Sequence, residues 1–450
     1  MKTELNNKSK LSLFYPSSLT TRLTIVYFGI SVGIALQIGA ANWDIIWHGI
    51  TDVESFFTPP HTVLYSGVAL TIGSVFIGII QYVRLGGTNG EKEKQHEQQP
   101  EVHEPSELTT TKKPLSKALG GATQSSFSSS SLLTSFYCLI QTLFKMPYPI
   151  KLVTIGTIIE IFSGGFDSWW HYNFGFDGLL SPPHLMLTIG MLTAIYGTLI
   201  GIYKLFHYNN NKSNSRSTLL KISFIVAYAV AWIVSVNTIF MFSLPYSKGQ
   251  YFDFNPNPFA AILIASVAIP FVSGMLFYSA SKTLGDVRFR FTFITLAFMI
   301  IHSTATIISN SHFAILYPLY LLNIIPALAA DIFISSGRNQ YYGRERNAQF
   351  ILETKRAGIS NLLRNQRTII FCSAIVPMIF ITLFFPWSVN AYKVFFGINM
   401  NTFESITIFN QLLWPFIILF IIPVSVFTSI MGSYIMSRIL GKLLEQDVQG

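Results

Sequence analysis

One aspartate and two histidines occur twice in this sequence with the same spacing. Each copy reads Asp-x3-His-x12-His, and the last two of the twelve intervening residues are Pro-Pro. The second copy follows the first at an offset of 123 residues without a gap, so the segment is an internal duplication. Carboxylate and imidazole groups are common metal ligands, and the six candidates are Asp44, His48, His61, Asp167, His171 and His184.

The spacing predicts how each set converges. An Asp and a His four residues apart lie on one face of a helix, one turn apart. The Pro pair favours the start of a new helix, since Pro is well suited to a first helical turn. An antiparallel hairpin then returns the last His beside the first two side chains. Three protein ligands with a free position are typical of an open metal site, and two His with one carboxylate are also typical of non-haem iron.

Further polar residues accompany the motif in both copies. Gln37 and Glu160 precede their aspartates by seven residues, which places each of them roughly 10 Å further along the same helix face. We interpret them as residues that support the site or as a proton relay. Glu54 and Asp177 are equivalent acids in the two loops, and we assign them the same supporting role.

Composition places these motifs in a membrane protein. Of the 450 residues, 50% are hydrophobic and only 11% are charged, whereas soluble domains carry about 25% charged residues. The mean hydropathy of +0.46 points the same way. These values exclude a soluble enzyme, a nucleic-acid-binding module and a disordered chain, and the net charge of +9 is ascribed to basic cytoplasmic loops. Cys138 and Cys372 are too few for a disulfide framework.

The predicted fold class is therefore all-α, a polytopic integral membrane protein with about ten transmembrane helices. Lys and Arg concentrate in the N-terminal segment and in every second loop. This predicts a multi-pass protein of the cell membrane with cytoplasmic N- and C-termini, and it places both motifs at the extracytoplasmic side. The predicted spans cover residues 22–43, 62–83, 149–168, 185–206, 219–243, 258–281, 290–309, 312–335, 368–386 and 409–437.

The duplication also divides the chain. Two helix hairpins in the same orientation predict parallel repeats, whose symmetry axis runs along the membrane normal. Four regions follow: a first hairpin repeat at 1–85, a disordered cytoplasmic linker at 86–131, an interfacial helix with the second hairpin repeat at 132–206, and a six-span region at 207–450 that includes a basic cytoplasmic loop at 337–366.

The motif resembles one in a known family. Asp44, His48 and His61, with Thr58-Pro59 shortly before the last His, look like the pattern carried by the C subunit of the copper membrane monooxygenases. That family includes particulate methane monooxygenase and ammonia monooxygenase. In the second copy Ser181 takes the place of the Thr. The resemblance is limited to the motif, which that subunit carries once, and it implies that the Asp and the two His bind copper within the membrane region.

Three functions fit these observations. The first is a membrane-embedded metal-binding protein, with copper as the expected ion, that acts as a monooxygenase component or as an accessory component. The second is a transporter or channel for metal ions or protons, and the third is a structural subunit without metal. Zinc and iron are alternative metals, and haem suits the site less well because these His lie at helix ends beside carboxylates. The expected partners are the lipid bilayer and other membrane subunits, not nucleic acid.

Overall fold

The computed structural model describes residues 17–50, 57–97, 146–175, 180–210, 218–242, 258–285, 287–309, 321–345, 366–382 and 417–449. Within these ranges every regular element is a helix, so the all-α prediction is confirmed. The ten helices found there are α1 Ser17–Ile50, α2 Pro59–Glu97, α3 Tyr148–Phe174, α4 Pro182–Asn210, α5 Thr218–Met241, α6 Pro258–Thr283, α7 Arg290–Ser309, α8 Ile324–Glu345, α9 Gln366–Thr382 and α10 Ile422–Gln449, the last preceded by a π-helical turn at Ile417–Ile421.

Each of these helices overlaps one of the predicted spans. Eight of the helices in the described ranges are long and apolar enough to cross a membrane. The other two, α8 and α9, contain shorter apolar stretches there, at Ile324–Ser335 and Gln366–Thr382. The fold is therefore that of a multi-pass membrane protein, and a total of ten crossings stays a prediction.

Helix α2 extends into the segment predicted as the cytoplasmic linker, and the bounds of the linker stay a prediction. Helix α2 continues to Glu97, because the segment EKEKQHE at its end is rich in strong helix formers. The remainder of the predicted linker, residues 98–131, lies outside the described ranges. The same holds for residues 132–145 of the predicted interfacial helix.

The basic loop predicted at 337–366 begins as a helix. Helix α8 continues beyond its apolar stretch to Glu345, past Arg338 and Arg344. Extending an existing helix adds one hydrogen bond for each residue that is ordered, so a polar segment can follow an apolar one without a new nucleation step. Residues 346–365 of this loop lie outside the described ranges.

The two hairpins, α1–α2 and α3–α4, cross at equivalent pairs of glycines. A Cβ atom built on Gly67 would lie 2.6 Å from the carbonyl oxygen of Gly33, and one built on Gly156 would lie 2.6 Å from the carbonyl oxygen of Gly190. Gly156 and Gly190 follow Gly33 and Gly67 at the same offset of 123 residues. The backbones approach closely at equivalent points, so the likeness of the two copies extends from the motif to the helix packing.

A second contact in each hairpin shows how the two copies differ. In α1–α2, Gly29 faces the Ser74 side chain, whose hydroxyl would have to rotate away from a Cβ at Gly29. The equivalent contact in α3–α4 joins Leu152 to Gly197, where a Cβ would lie 2.8 Å from the Cβ of Leu152. The glycine is thus on the first helix in one copy and on the second helix in the other. Each contact retains one glycine, so the helices can approach closely in both copies.

Helix α5 joins the hairpins to the rest of the bundle. It packs against α1 and α4 and also against α6 and α7. Its fully buried Trp232 has ring centroids of Phe298 and Phe380 at 4.2 and 5.0 Å. Five residues after Trp232, towards the end of α5, Asn237 donates a hydrogen bond of 3.0 Å to Asn42 Oδ1 on α1. This polar bond fixes α1 two residues before the aspartate of the first motif.

The N-terminus of α7 is capped by a side chain from another helix. Asp331 on α8 accepts hydrogen bonds from the backbone N–H groups of Phe291 and Thr292 at 3.3 and 2.8 Å, and from the Thr292 hydroxyl at 2.9 Å. The first N–H groups of a helix have no partner within the helix, and its dipole attracts negative charge there. The buried carboxylate therefore joins α8 to α7.

We expect Asp331→Ala to lower the free energy of unfolding by about 2 kcal/mol, because loss of a helix cap costs up to that amount and the N–H group of Phe291 is left buried. Chemical unfolding in detergent measures the change. Ser335→Ala, one turn further along α8, is the matched control, with an expected effect below about 0.5 kcal/mol. Equal stability of the two variants would contradict the capping role.

Candidate metal centre

Three side chains from α3 and α4 converge at one end of the second hairpin. The Asp167 oxygen Oδ1 lies 3.2 Å from His184 Nε2 and 3.5 Å from His171 Nε2. One candidate ligand atom from each of the three residues lies within 4.8 Å of the other two. The side chains are 26–27% exposed, so the group is open to an entering ion. Small side-chain rotations would bring these atoms to the roughly 2 Å that metal–nitrogen bonds require.

The end of α3 orients the ring of His171. Gly175 has a φ of 74°, a conformation that glycine adopts easily, and its N–H group donates to the carbonyl oxygen of His171 at 3.0 Å. This turn brings the carbonyl oxygen of Gly175 to 3.2 Å from His171 Nδ1. An imidazole that donates from Nδ1 to a carbonyl presents its other nitrogen, Nε2, as a ligand. The Nε2 atom is the one that faces Asp167.

The start of α4 places His184 opposite the last turn of α3. The helix begins at Pro182, where the missing N–H group of proline costs nothing. The N–H group of Leu185 donates to the carbonyl oxygen of Ser181 at 3.0 Å and closes the first turn. His184 therefore lies in that first turn, next to Asp167 across the hairpin.

The first copy shows the same contact across its hairpin. His61 Nε2 lies 3.3 Å from Asp44 Oδ1, and both side chains are about as exposed as those of the second copy. The Thr58 hydroxyl accepts a hydrogen bond from the His61 N–H group at 3.3 Å, the geometry of a helix N-cap. His48 lies in the last turn of α1, but its side chain is outside the described part of the structure. The structure thus brings together two of the three predicted ligands of this copy.

The two copies lie close to each other. The hydroxyl group of Tyr65 on α2 is within electrostatic reach of both Asp167 and Asp44. Its ring centroid is 6.0 Å from that of His61. The motif did not point to Tyr65, because the sequence does not show which residue of one hairpin faces the other. Its position places both candidate sites at the same end of the four hairpin helices.

The second pair of predicted polar residues is buried between the hairpins. Gln37 and Glu160 are 0% and 2% exposed, and the two side chains face each other. An ionised carboxylate inside a bilayer costs about 2.5–3.5 kcal/mol even on the most lenient insertion scale. The other two predicted supporting acids, Glu54 and Asp177, lie outside the described ranges.

Aromatic side chains surround the end of α3. The ring of Trp170 lies 4.5 Å from that of Phe174 and 5.8 Å from that of Phe166. Trp169 and Tyr172 are exposed. Because Trp and Tyr are enriched where a membrane meets water, these residues agree with a site at the membrane boundary.

No family model matches this chain, and no curated protein or solved structure matches it. The class of protein is defined by the fold and the site: a multi-pass membrane protein with a group of one Asp and two His that could hold a metal ion.

Proposed function

We propose that this chain binds a transition-metal ion at the membrane boundary through Asp167, His171 and His184. The observation that carries the proposal is the approach of three ligand atoms, one from each residue, to within 4.8 Å of one another. Two imidazoles and a carboxylate suit copper, zinc and iron better than magnesium or calcium, which prefer oxygen ligands. Three protein ligands leave a coordination position open for water or a substrate.

Copper is the expected ion in this proposal. It stands at the top of the divalent affinity order for such ligands. The motif also resembles that of the C subunit of the copper membrane monooxygenases, which supports a role as a component of an oxidative enzyme or as an accessory to one. The ion would supply the redox chemistry, and the residues of this chain would hold it and orient the ligands around it.

A second, equivalent site belongs to the proposal. Its ligands are Asp44, His48 and His61, and the contact of 3.3 Å between Asp44 and His61 supports it. The two copies differ seven residues before the aspartate, where the second copy has the acid Glu160 and the first has the neutral Gln37.

The orientation in the membrane is also proposed. Lys and Arg concentrate in alternate loops and in both terminal segments, which supports cytoplasmic termini. The two sites then face the extracytoplasmic side, where they would exchange metal with that compartment.

Transport of metal ions or protons is the second candidate function. It is favoured by Glu160, a buried acid below the site. Towards the start of α3, beyond Glu160 as seen from the site, the hydroxyls of Thr157 and Thr154 instead donate to the carbonyl oxygens of Val153 and Ile150 in their own helix. Their hydroxyl hydrogens are used within the helix, so we rank metal retention before transport. Copper uptake by reconstituted vesicles that depends on Glu160 would reverse this order.

Metal analysis of the purified protein tests the proposed function. The wild type is expected to retain one or two metal ions per chain, and the double variant His171→Ala with His184→Ala is expected to lose one of them. The double variant His96→Ala with His103→Ala removes two histidines of the predicted linker and is the matched control. Metal contents that are the same in all three proteins would contradict the proposal, and a metal-free wild type would support a structural role.

A further inference from the structure

Gln37 and Glu160 occupy equivalent positions of the two hairpins and face each other. Two equivalent residues meet only where the symmetry axis that relates their copies passes between them. The pair therefore lies on the pseudo-two-fold axis of the hairpins. Seven residues separate Glu160 from Asp167, so the pair lies roughly 10 Å below the candidate metal centre along α3.

The hairpins provide room for both side chains through two glycines. A Cβ atom on Gly67 would lie 2.8 Å from Cγ of Gln37, and one on Gly190 would lie 2.8 Å from Cγ of Glu160. Any larger residue at either position would displace the neighbouring polar side chain. The burial of this pair is thus a consequence of how the helices cross.

The Gln37–Glu160 pair has more buried acceptor atoms than donors. Gln37 Nε2 donates to Thr71 Oγ1 at 3.2 Å, and the Thr71 hydroxyl donates to the carbonyl oxygen of Gly67 at 3.0 Å. Within the described part of the chain, Gln37 Oε1 and both carboxyl oxygens of Glu160 are buried without a hydrogen-bond partner of normal geometry. Three acceptor atoms therefore meet in a buried space, and the second N–H of the Gln37 amide is the donor that remains beside them.

A second buried carboxyl group, that of Asp331, differs from Glu160 in its hydrogen-bond donors. Asp331 is 2% exposed, as Glu160 is, but it accepts three hydrogen bonds from Phe291 and Thr292. The fold thus surrounds the buried Asp331 carboxyl group with hydrogen-bond donors, which favour its ionised form. Beside Glu160 the fold places the Gln37 amide, without a hydrogen bond of normal geometry, and no described Lys or Arg forms an ion pair with the carboxyl group.

We propose that Glu160 and Gln37 form a proton-binding site within the membrane, in which the Glu160 carboxyl holds a proton and donates it in a hydrogen bond to Gln37 Oε1. One proton supplies the missing donor and removes the buried charge, which would otherwise be unpaired in an apolar environment. A second Glu on the axis would place two acids side by side, and like charges resist joint ionisation. A Gln opposite the Glu leaves a single acid with a fixed acceptor. The site does not depend on metal binding.

Infrared difference spectroscopy on the full-length, metal-free protein in lipid tests this. Subtracting the spectrum of Glu160→Gln from that of the wild type is expected to leave the C=O stretching band of a protonated carboxylic acid, which shifts in D2O. The matched control Asp331→Asn is expected to remove carboxylate bands instead. Carboxylate bands lost in Glu160→Gln would show an ionised Glu160 and would overturn the proposal.

A second variant tests the partner and covers the case in which Glu160→Gln does not fold. Gln37→Leu keeps the acid but removes its acceptor, so the acid band should move to the higher frequency of a carboxyl group without a hydrogen bond. A band that stays in place would overturn the pairing with Gln37. Both outcomes are read without metal, so they are separate from the test of the metal centre.

Discussion

Replacement of Asp167 by Asn is expected to weaken metal binding at the α3–α4 site by more than about 100-fold, since even residues that only support a ligand contribute about 10–100-fold. Asn is nearly the same size as Asp, so the packing is retained. The Asp167 carboxylate lies 3.2 and 3.5 Å from the two imidazole nitrogens, and its negative charge compensates the charge of a bound cation. The substitution removes that charge. Competition with a chelator of known affinity measures the loss.

The neighbouring residue provides the control for this experiment. Ser168 is exposed and lies next to Asp167 on α3. Ser168→Ala should bind metal as the wild type does. If Asp167→Asn also retained wild-type affinity, Asp167 would not be a ligand, and its contacts with His171 and His184 would be purely structural.

The second large effect is expected at the helix crossing. Gly156→Ala should lower the free energy of unfolding by about 2 kcal/mol, as overpacking does in tightly packed interiors. The added Cβ would lie 2.6 Å from the carbonyl oxygen of Gly190 and from the backbone nitrogen of Ala194, and backbone atoms cannot rotate away. The helices would have to separate, which would also move His184 away from Asp167 and reduce metal retention.

Gly164 on the same helix is the matched control. A Cβ at Gly164 would meet nothing within 4 Å. Gly164→Ala should raise the free energy of unfolding by up to about 1 kcal/mol, because Ala favours helix over Gly. Unfolding in detergent and metal content are measured on both variants. Equal stabilities would show that the crossing at Gly156 tolerates separation and would contradict the close backbone contact.

Periodicity and spacing were sufficient to predict much of this structure. Apolar runs of the right length predicted the helices, because a bilayer sets both their length and their composition. The contact between Asp167 and His184 followed from a helix turn, a Pro pair and a tight hairpin, all of which are local features. The helical extension to Glu97 was missed because polar, charged residues that favour helix were taken as a sign of disorder.

Contacts between the hairpins could not be predicted in the same way. Tyr65 near both aspartates, and Gln37 opposite Glu160, depend on how two separate hairpins pack. The repeat showed that positions 37 and 160 are equivalent, but not that they meet. Equivalence and contact are independent properties, and only the three-dimensional arrangement joins them.

The meeting of positions 37 and 160 has a consequence for the ancestry of the chain. A single hairpin that paired with a second copy of itself would place two identical side chains on the axis, so any acid there would face its twin. Joining both hairpins in one polypeptide removes that restriction, because each half can then accept its own substitutions. The Gln and Glu at these positions, and the exchanged glycines at 29 and 197, are changes that a fused pair can accumulate and a homodimer cannot. Fusion thus makes an asymmetric centre available to a symmetric fold.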